Sequence, residues 1–542
     1  MATRLIWHGY LLTSTGSNLY TRNIARCWAR AGHTVLVLCQ DTRMAQLPEC
    51  RAHVRASADG LEWLHGGPDA LAGGGSVLVN PDIGDVLPVY VLDRYEGFTA
   101  RRMVDMDDAA RAAYLHANRA ALDAVLRAVG EVEVALVNHV VLGPEACRPV
   151  LDEHGVPMVV KVHGSELEYA IAGDESLLAP ARSGLLAARR VLAGSDHIVR
   201  RTVQLVGPDA VDGRIEVVPP GVDVELFAPA EGSRADATAA LAAHLADASA
   251  GSDGFAAGAG RAAAAALAGI AMADLPAAVE RRAHEANERH VDRDAADQVR
   301  EVLDDPAAPV VAYVGKLISQ KGPQLALAAL PLVRAAHPAV RMPIAGFGPL
   351  RLPLAMLAAA MADGDLDEVR RIALVGARFD GGDGPWGAVV SLLDRLDEDP
   401  ELAAGWLRGA RGIESAIAWA GCVGHDVLSL LWPATDVTLV PSIFPEAFGM
   451  VAAEAAACES LPLVAGHTGL GEVGATLGQA TGLDHCVDTT AADTAVLDLA
   501  GRISEWLSLP ADERARAASA GRQQVVKLWS WDSVAEQAAQ VG

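Results

Sequence analysis

Residues 441–454 read PSIFPEAFGMVAAE, directly behind the apolar run VTLV (437–440). A short continuous apolar run is the mark of a strand buried on both faces of a parallel sheet. MVAAEAAA (450–457) has the composition of a helix. Between the two, Phe448 and Gly449 form a loop whose backbone amides would face an anion. Met450, as first helical residue, adds the positive end of the helix dipole. Glu446 and Glu454 frame this turn with seven residues between them. Glu454, on the helix, is placed to accept hydrogen bonds from a diol such as a ribose, and Glu446, ahead of it, lies nearer a bound sugar. Two glutamates at this spacing are common on solvated helices. The Pro-Ser strand end and the Pro-Glu-x-Phe-Gly loop are what set this pair apart.

Outward from that turn, the same alternation repeats. PVVAYVG (309–315), VRMPIAG (340–346), IAWAGCVG (417–424) and LPLVAG (461–466) are further strand candidates separated by helical stretches. An earlier series runs LIW (5–7), VLVLC (35–39), VLVN (77–80), VEVALVNH (132–139), PMVVKVHG (157–164) and RVLAGS (190–195). Ile24, Cys27, Trp28 and Ala31 recur at helical spacing between the first two, with Gly32 as the C-cap. Strands alternating with helices predict doubly wound parallel sheets, here two Rossmann-like α/β domains in tandem. The expected division is 1–220, a linker at 221–308, a second domain at 309–520 and a final helix at 521–542. An Ala-rich stretch at about 232–304 reads as surface helices or a partly disordered linker. A second helical, acidic insertion interrupts the C-terminal domain at about 363–415.

Composition narrows the partners. The 542 residues carry 44 Lys+Arg against 69 Asp+Glu, a formal net charge of -25. So acidic a surface argues against nucleic acid and against broad adhesion to anionic lipid; peripheral membrane contact through a local basic patch stays open. Seven scattered cysteines with no CxxC pair read as reduced thiols, and no zinc spacing is present. The opening MATRLIWHGYLL lacks the apolar core of a signal peptide, and Ala262–Ala273 is too short to span a bilayer. The expectation is a soluble, cytoplasmic protein.

The 441–454 segment resembles the signature of family 4 glycosyltransferases, whose fold is called GT-B: a strand ending in Pro-Ser, then E-x-F-G, with a second Glu eight positions after the first. Pro441, Ser442, Glu446, Phe448, Gly449 and Glu454 match it. GKLISQKG (315–322) is similar to the family's G-R-L-x-x-x-K-G segment, with Lys316 where Arg is usual. A point charge replaces a bidentate fork there. Other matches follow in the family's order: AGSDHIVR (193–200), EVVPPGVDVELFAP (216–229, with Pro220 for the usual Asn), IAGFGPLR (344–351), TGLGEV (468–473) and LWSWDSVAEQ (528–537). The resemblance covers most of the chain outside the two insertions.

It implies two Rossmann-like domains facing across a cleft, with the last helix crossing back to the first domain and hinge motion near 220–310 and that crossover. It implies a retaining transferase that takes a sugar from a nucleoside diphosphate, UDP being commonest, and gives it to a hydroxyl acceptor. Lys316 and Lys321 would meet the diphosphate, where negative charge builds as the leaving group departs. Glu446 would orient the sugar, Glu454 would bind ribose, and Phe448, Gly449 and Met450 would line the donor. No Asp-x-Asp pair stands on a strand-end loop, so no metal and no further cofactor are expected. In STGSNLY (14–20), Gly16 and Ser17 occupy the family's glycine loop beside the phosphates. Read alone, that loop with Asp41 suggests a dinucleotide, but G-x-G-x-x-G is absent. His163 in VKVHGSELEY matches the family's H-G-x-E histidine beside the sugar; a lone histidine is otherwise most often structural. Lys161, Glu166, His139, His8 and Tyr10 are weaker candidates. Two rivals stay open: another GT-B reaction, such as a glucan or disaccharide synthase or phosphorolysis, and a non-catalytic sugar-nucleotide-binding protein.

Overall fold

A computed structural model describes residues 1–12, 16–90, 97–283 and 290–540. Ser14 and Thr15 of the first glycine loop, residues 284–289 of the Ala-rich stretch and 541–542 of the final segment lie outside the described residues. The chain divides into two compact units, 1–221 with 528–542, and 222–527.

The strands of unit 1 are β1 (Thr3–Trp7), β2 (Thr34–Leu38), β3 (Cys50–Ser57), β4 (Gly60–His65), β5 (Gly75–Pro81), β6 (Val86–Val89), β7 (Thr99–Arg102), β8 (Val132–Asn138), β9 (Met158–Lys161), β10 (Arg190–Ala193) and β11 (Ile215–Val217). Nine of them form one sheet in the order β11-β10-β9-β8-β1-β2-β5-β3-β4, while β6 and β7 pair separately. Neighbours are parallel except the β3–β4 hairpin, which is antiparallel. The central strands are buried on both faces: Leu5, Ile6, Leu36, Val37 and Leu136 have no exposed surface. The chain winds from β1 toward β2 on one side and from β8 toward β9 on the other, so the strand order reverses between β1 and β8. The returning helix Trp531–Ala539 packs in this unit, its Ala535 carbonyl accepting the Trp28 indole N–H at 2.8 Å.

Unit 2 holds β12 (Val311–Val314), β13 (Met342–Ala345), β14 (Ile417–Gly421), β15 (Val437–Val440), β16 (Leu461–Ala465) and β17 (Cys486–Val487). They form a wholly parallel sheet ordered β14-β13-β12-β15-β16-β17, and its reversal falls between β12 and β15. In open α/β sheets, ligands bind at the carboxyl ends of the strands flanking such a reversal.

The two insertions are not surface decoration. Helices Arg234–Ser249, Ala259–Ala266, Leu275–Ala283 and Ala295–Val302 bury Leu241, Leu245, Leu275 and Val279. Val291 makes an antiparallel bridge to Gly421 at the β14 edge, and a buried Asp292–Arg351 ion pair of 2.6 Å joins the stretch to the helix after β13. The reading of 232–304 as surface helices or disordered linker is therefore corrected for its described residues. Alanines pack closely at little cost in side-chain entropy, and they carry little hydrophobic signal. The 363–415 insertion likewise buries Trp386 and Trp406, the latter donating its indole N–H to the Ala328 carbonyl at 3.4 Å.

Candidate functional site

In unit 2 the two loops at the reversal are joined through their backbones. The loop after β12 carries Lys316 and Lys321; the loop after β15 carries Glu446, Phe448 and Gly449. Ile443 N donates to the Gln320 carbonyl at 2.9 Å, and the Ser442 hydroxyl lies 3.0 Å from the same oxygen. Gly322 has φ +72°, and a Cβ there would sit 2.0 Å from the Pro441 carbonyl oxygen. Only glycine permits that approach.

On this frame Lys321 Nζ pairs with the Glu446 carboxylate, to which the Ser442 hydroxyl also donates at 2.9 Å. The Glu446 amide donates to Thr468 Oγ1 at 3.0 Å, and its carbonyl accepts Gly469 N at 3.0 Å. The buried Tyr313 hydroxyl lies 3.1 Å from the Lys316 carbonyl and 3.4 Å from that of Lys321, stapling both ends of the lysine loop from below. Lys316 is exposed. The helix Met450–Ala457 starts at Gly449, whose φ of +143° and contact with Leu470 again exclude a side chain. Phe448 is buried beside it. Glu454 is 3% exposed, and burial pushes its carboxyl up to about 8; its Oε1 lies 3.9 Å from His425 Nε2.

His467 and Thr468 were missed in the sequence. His467 Nε2 lies 3.1 Å from the Ser442 carbonyl, which also accepts the Thr489 hydroxyl at 2.7 Å. Their signal was present in the strand end LPLVAGHTG, whose polar tip follows the third central strand.

Unit 1 gathers a different set at its own reversal. His8 follows β1 and is fully buried; its Nε2 lies 2.8 Å from Asn18 Oδ1 and its Nδ1 3.0 Å from the Thr21 hydroxyl. Burial, then the neighbouring His139, lower its pKa to about 3, so it stays neutral and ties β1 to the first turns of helix Gly16–Arg30. Gly16 and Ser17 open that helix. His163 follows β9 with Nε2 2.8 Å from Asn138 Oδ1, and burial, then His139, Lys161 and His8, hold its pKa well below the ordinary histidine value. Glu166, fully buried, accepts His163 N at 2.8 Å and lies 3.1 Å from His139 Nδ1. Burial raises its pKa, but His139 and these hydrogen bonds outweigh that and the net direction is down. His139 adopts a left-handed φ of +67°, and its Nε2 is buried with no hydrogen-bond partner among the described residues. Lys161 is lowered to about 7 by burial, which Glu166 partly offsets; its ammonium donates to the Val218 carbonyl and lies 4.9 Å over the Tyr20 ring. Asp41 is spent internally, accepting Leu12 N and Arg43 N at 2.8 Å each, so it holds loops instead of offering a carboxylate to a ribose.

Among the described residues no group of three or more His, Cys, Asp or Glu could hold a metal ion, and no helix is long and apolar enough to cross a membrane. The lysine pair and Glu446 thus form one assembly with the Glu454 helix, while Gly16, Ser17 and His163 belong to the other unit.

No family model matches the chain. It is 30% identical over 230 residues, 42% of its length, to the glycogen synthases of two Mycobacterium tuberculosis strains; the match spans 41% of those relatives' length. Among solved structures it is similar to a glycosyltransferase from Rickettsia africae at a TM-score of 0.52 and 13% identity, covering 99% of this chain and 96% of that one. It is also similar to Anabaena HepE in complex with UDP and glucose, at a TM-score of 0.50 and 14% identity, covering 99% and 98%. With two doubly wound parallel sheets in tandem, the chain has the GT-B fold.

Proposed function

We propose that this chain is a glycosyltransferase that moves a sugar from a nucleoside diphosphate, a UDP-sugar first among donors, to a hydroxyl acceptor. The observation that carries the reading is the Lys321–Glu446 pair at the sheet reversal of unit 2, with Lys316 on the same loop. An entering diphosphate competes with Glu446 for Lys321. Lys321 then faces the phosphates, and Glu446 is released to bind sugar hydroxyls. Breaking the bond from the anomeric carbon to the phosphate leaves charge on that phosphate, which the two lysines stabilise. The acceptor oxygen bonds to the anomeric carbon on the same face, and its proton passes to the departing phosphate oxygen, so configuration is retained without a protein nucleophile. Glu454 takes the ribose, and Phe448, Gly449 and Met450 line the donor. The lysines supply the positive charge, so no metal or further cofactor enters the reading.

A panel of UDP-, ADP- and GDP-sugars scored by thermal shift and by release of free nucleotide tests it. Turnover of at least one donor is expected, with NMR showing the donor's anomeric configuration kept in the product. Absence of any nucleotide release across the panel sinks the assignment in favour of a non-catalytic sugar-nucleotide-binding role.

A second reading is a glucan synthase, favoured by the 30% identity to glycogen synthases. Supplying glycogen or a maltooligosaccharide as acceptor, with inorganic phosphate in a parallel reaction for phosphorolysis, separates it from transfer to lipid or small-molecule hydroxyls.

A further inference from the structure

Ser319 sits inside the lysine loop, three residues after Lys316 and two before Lys321, and it is 6% exposed. Each of its polar groups is taken. Its amide donates to Asp380 Oδ2 at 2.6 Å, and its hydroxyl donates to Asp380 Oδ1 at 3.0 Å. That hydroxyl accepts the indole N–H of Trp386 at 3.0 Å, and the Ser319 carbonyl accepts the Gln324 side-chain amide at 3.0 Å. Gln324 lies on the helix Pro323–Ala336 that continues the loop. Asp380 and Trp386 come from elsewhere: they close a short helical turn, Gly376–Asp380, and the start of helix Gly387–Glu398 in the 363–415 insertion. Trp386 is 4% exposed.

We infer that Asp380 and Trp386 are positioning residues, through which the insertion holds the lysine loop in the geometry a nucleoside diphosphate requires. This rests on the donor reading above. A bidentate carboxylate on one amide and one hydroxyl fixes the loop at its midpoint, while Tyr313 holds its two ends. With Asp380 gone, the Gln320–Ile443 bond and the ends remain, but the stretch around Ser319 is freer to sample other conformations, and lysines that must be ordered on binding lose affinity. The loss falls on the phosphate part of the ligand, because the loop carries the cations; the nucleoside part keeps its partners elsewhere.

Binding of UDP, ADP and GDP, each beside its own nucleoside, is measured by calorimetry on the full chain, wild type against Asp380→Ala, Asp380→Asn and Trp386→Phe. For the diphosphate that the wild type binds, Asp380→Ala is expected to weaken binding about tenfold. The matching nucleoside should stay within twofold. Asparagine keeps an acceptor for the amide and a partner for the hydroxyl, so Asp380→Asn should lie within threefold of wild type. Trp386→Phe removes a single N–H and keeps the ring; two- to fivefold weaker diphosphate binding is expected, and it carries the test if Asp380→Ala does not accumulate folded. The donor KM should rise in the same order with the acceptor KM unchanged. Equal loss for diphosphate and nucleoside, or no loss in either Asp380→Ala or Trp386→Phe, overturns the inference alone. A wild type that binds none of the three diphosphates overturns the donor reading and this inference with it.

Discussion

The two sheet reversals occupy the same topological position in their units, yet they are built on opposite physics. At β1 and β8 of unit 1, histidines sit in a tight network: buried His8 and part-buried His163 are held neutral, and Glu166 is enclosed by His139 and the His163 amide. At β12 and β15 of unit 2, charges stand partly exposed on backbone-clamped loops, with Lys321 and Glu446 paired and Lys316 exposed. A desolvated network, in which neutral histidines enclose the ionised Glu166, discriminates by shape and hydrogen-bond direction. A half-exposed ion pair keeps its charge and can exchange partners at low cost. On the proposed reading, charge stabilisation falls to the lysines of unit 2.

Lys321→Ala is the strongest way to break this contrast. If Lys321 meets the developing phosphate charge as proposed, removing it should lower kcat/KM by about 10²–10³-fold. Circular dichroism and melting temperature should stay close to wild type, since the lysine is partly exposed and the loops are joined through Gly322 and Gln320. Glu446→Gln should fall in the same range. Full activity in either variant would remove the Lys321–Glu446 pair from the proposed chemistry.

The unit 1 half is sharpened by His163. Its ring nitrogen at Asn138 makes one part-buried hydrogen bond, so His163→Ala should cost about 10–100-fold in kcat/KM. Because its pKa is held well below the ordinary value, the wild-type rate should show no inflection from this histidine between pH 6 and 8. An inflection there that vanishes in His163→Ala would show that the ring charges during turnover, and the neutral-network picture would fail.

How far each half was legible in the sequence follows from the same contrast. The central strands were readable because continuous apolar runs such as VLVLC and VEVALV belong to strands buried on both faces. The β3–β4 hairpin was not, since Cys50–Ser57 and Gly60–His65 mix charge and histidine at a sheet edge. The lysines and glutamates of unit 2 sit within two short segments, and the resemblance of those segments to the family signature brought them onto the page. The enclosure of His163 by Asn138, Glu166 and Tyr20 depends on register between β8 and β9 and on a separate helix, and spacing does not encode that. Likewise, the hold of Asp380 on Ser319 spans 61 residues and enters through an insertion that reads as a surface feature.

Beside the partly exposed Glu446, Glu454 is a carboxyl buried like the groups of unit 1. Its pKa of about 8 means that the nucleotide-free chain holds it mostly protonated at pH 7. If its ionised form accepts the ribose hydroxyls, nucleotide binding expels a proton, and UDP affinity should rise about eightfold between pH 7 and 8.5. Calorimetry in buffers of different ionisation enthalpy reads the proton directly, and Glu454→Gln should flatten the profile. Binding that is pH-independent in the wild type removes the carboxylate from the ribose role.

A separate effect is on stability, and it distinguishes burial from ligand binding at the same residue. Burial raises the Glu454 pKa from the ordinary 4.5 to about 8, so between these values the folded chain keeps a proton that the unfolded chain has lost. The stabilising protonated state is fully present below pH 4.5 and is lost as pH rises through about 8. Without nucleotide, the melting temperature of the wild type should therefore fall relative to Glu454→Gln as pH is raised from 5 to 8, by about 2–4 °C for each kcal/mol of linkage. Saturating UDP should reverse the order at pH 8, because the ligand binds the ionised carboxylate of the wild type more tightly than the amide. A wild type and variant whose melting curves stay parallel across this window would mean that Glu454 is solvated in the folded chain, and the buried helix start would then belong with the exposed charges of Lys316 and Lys321.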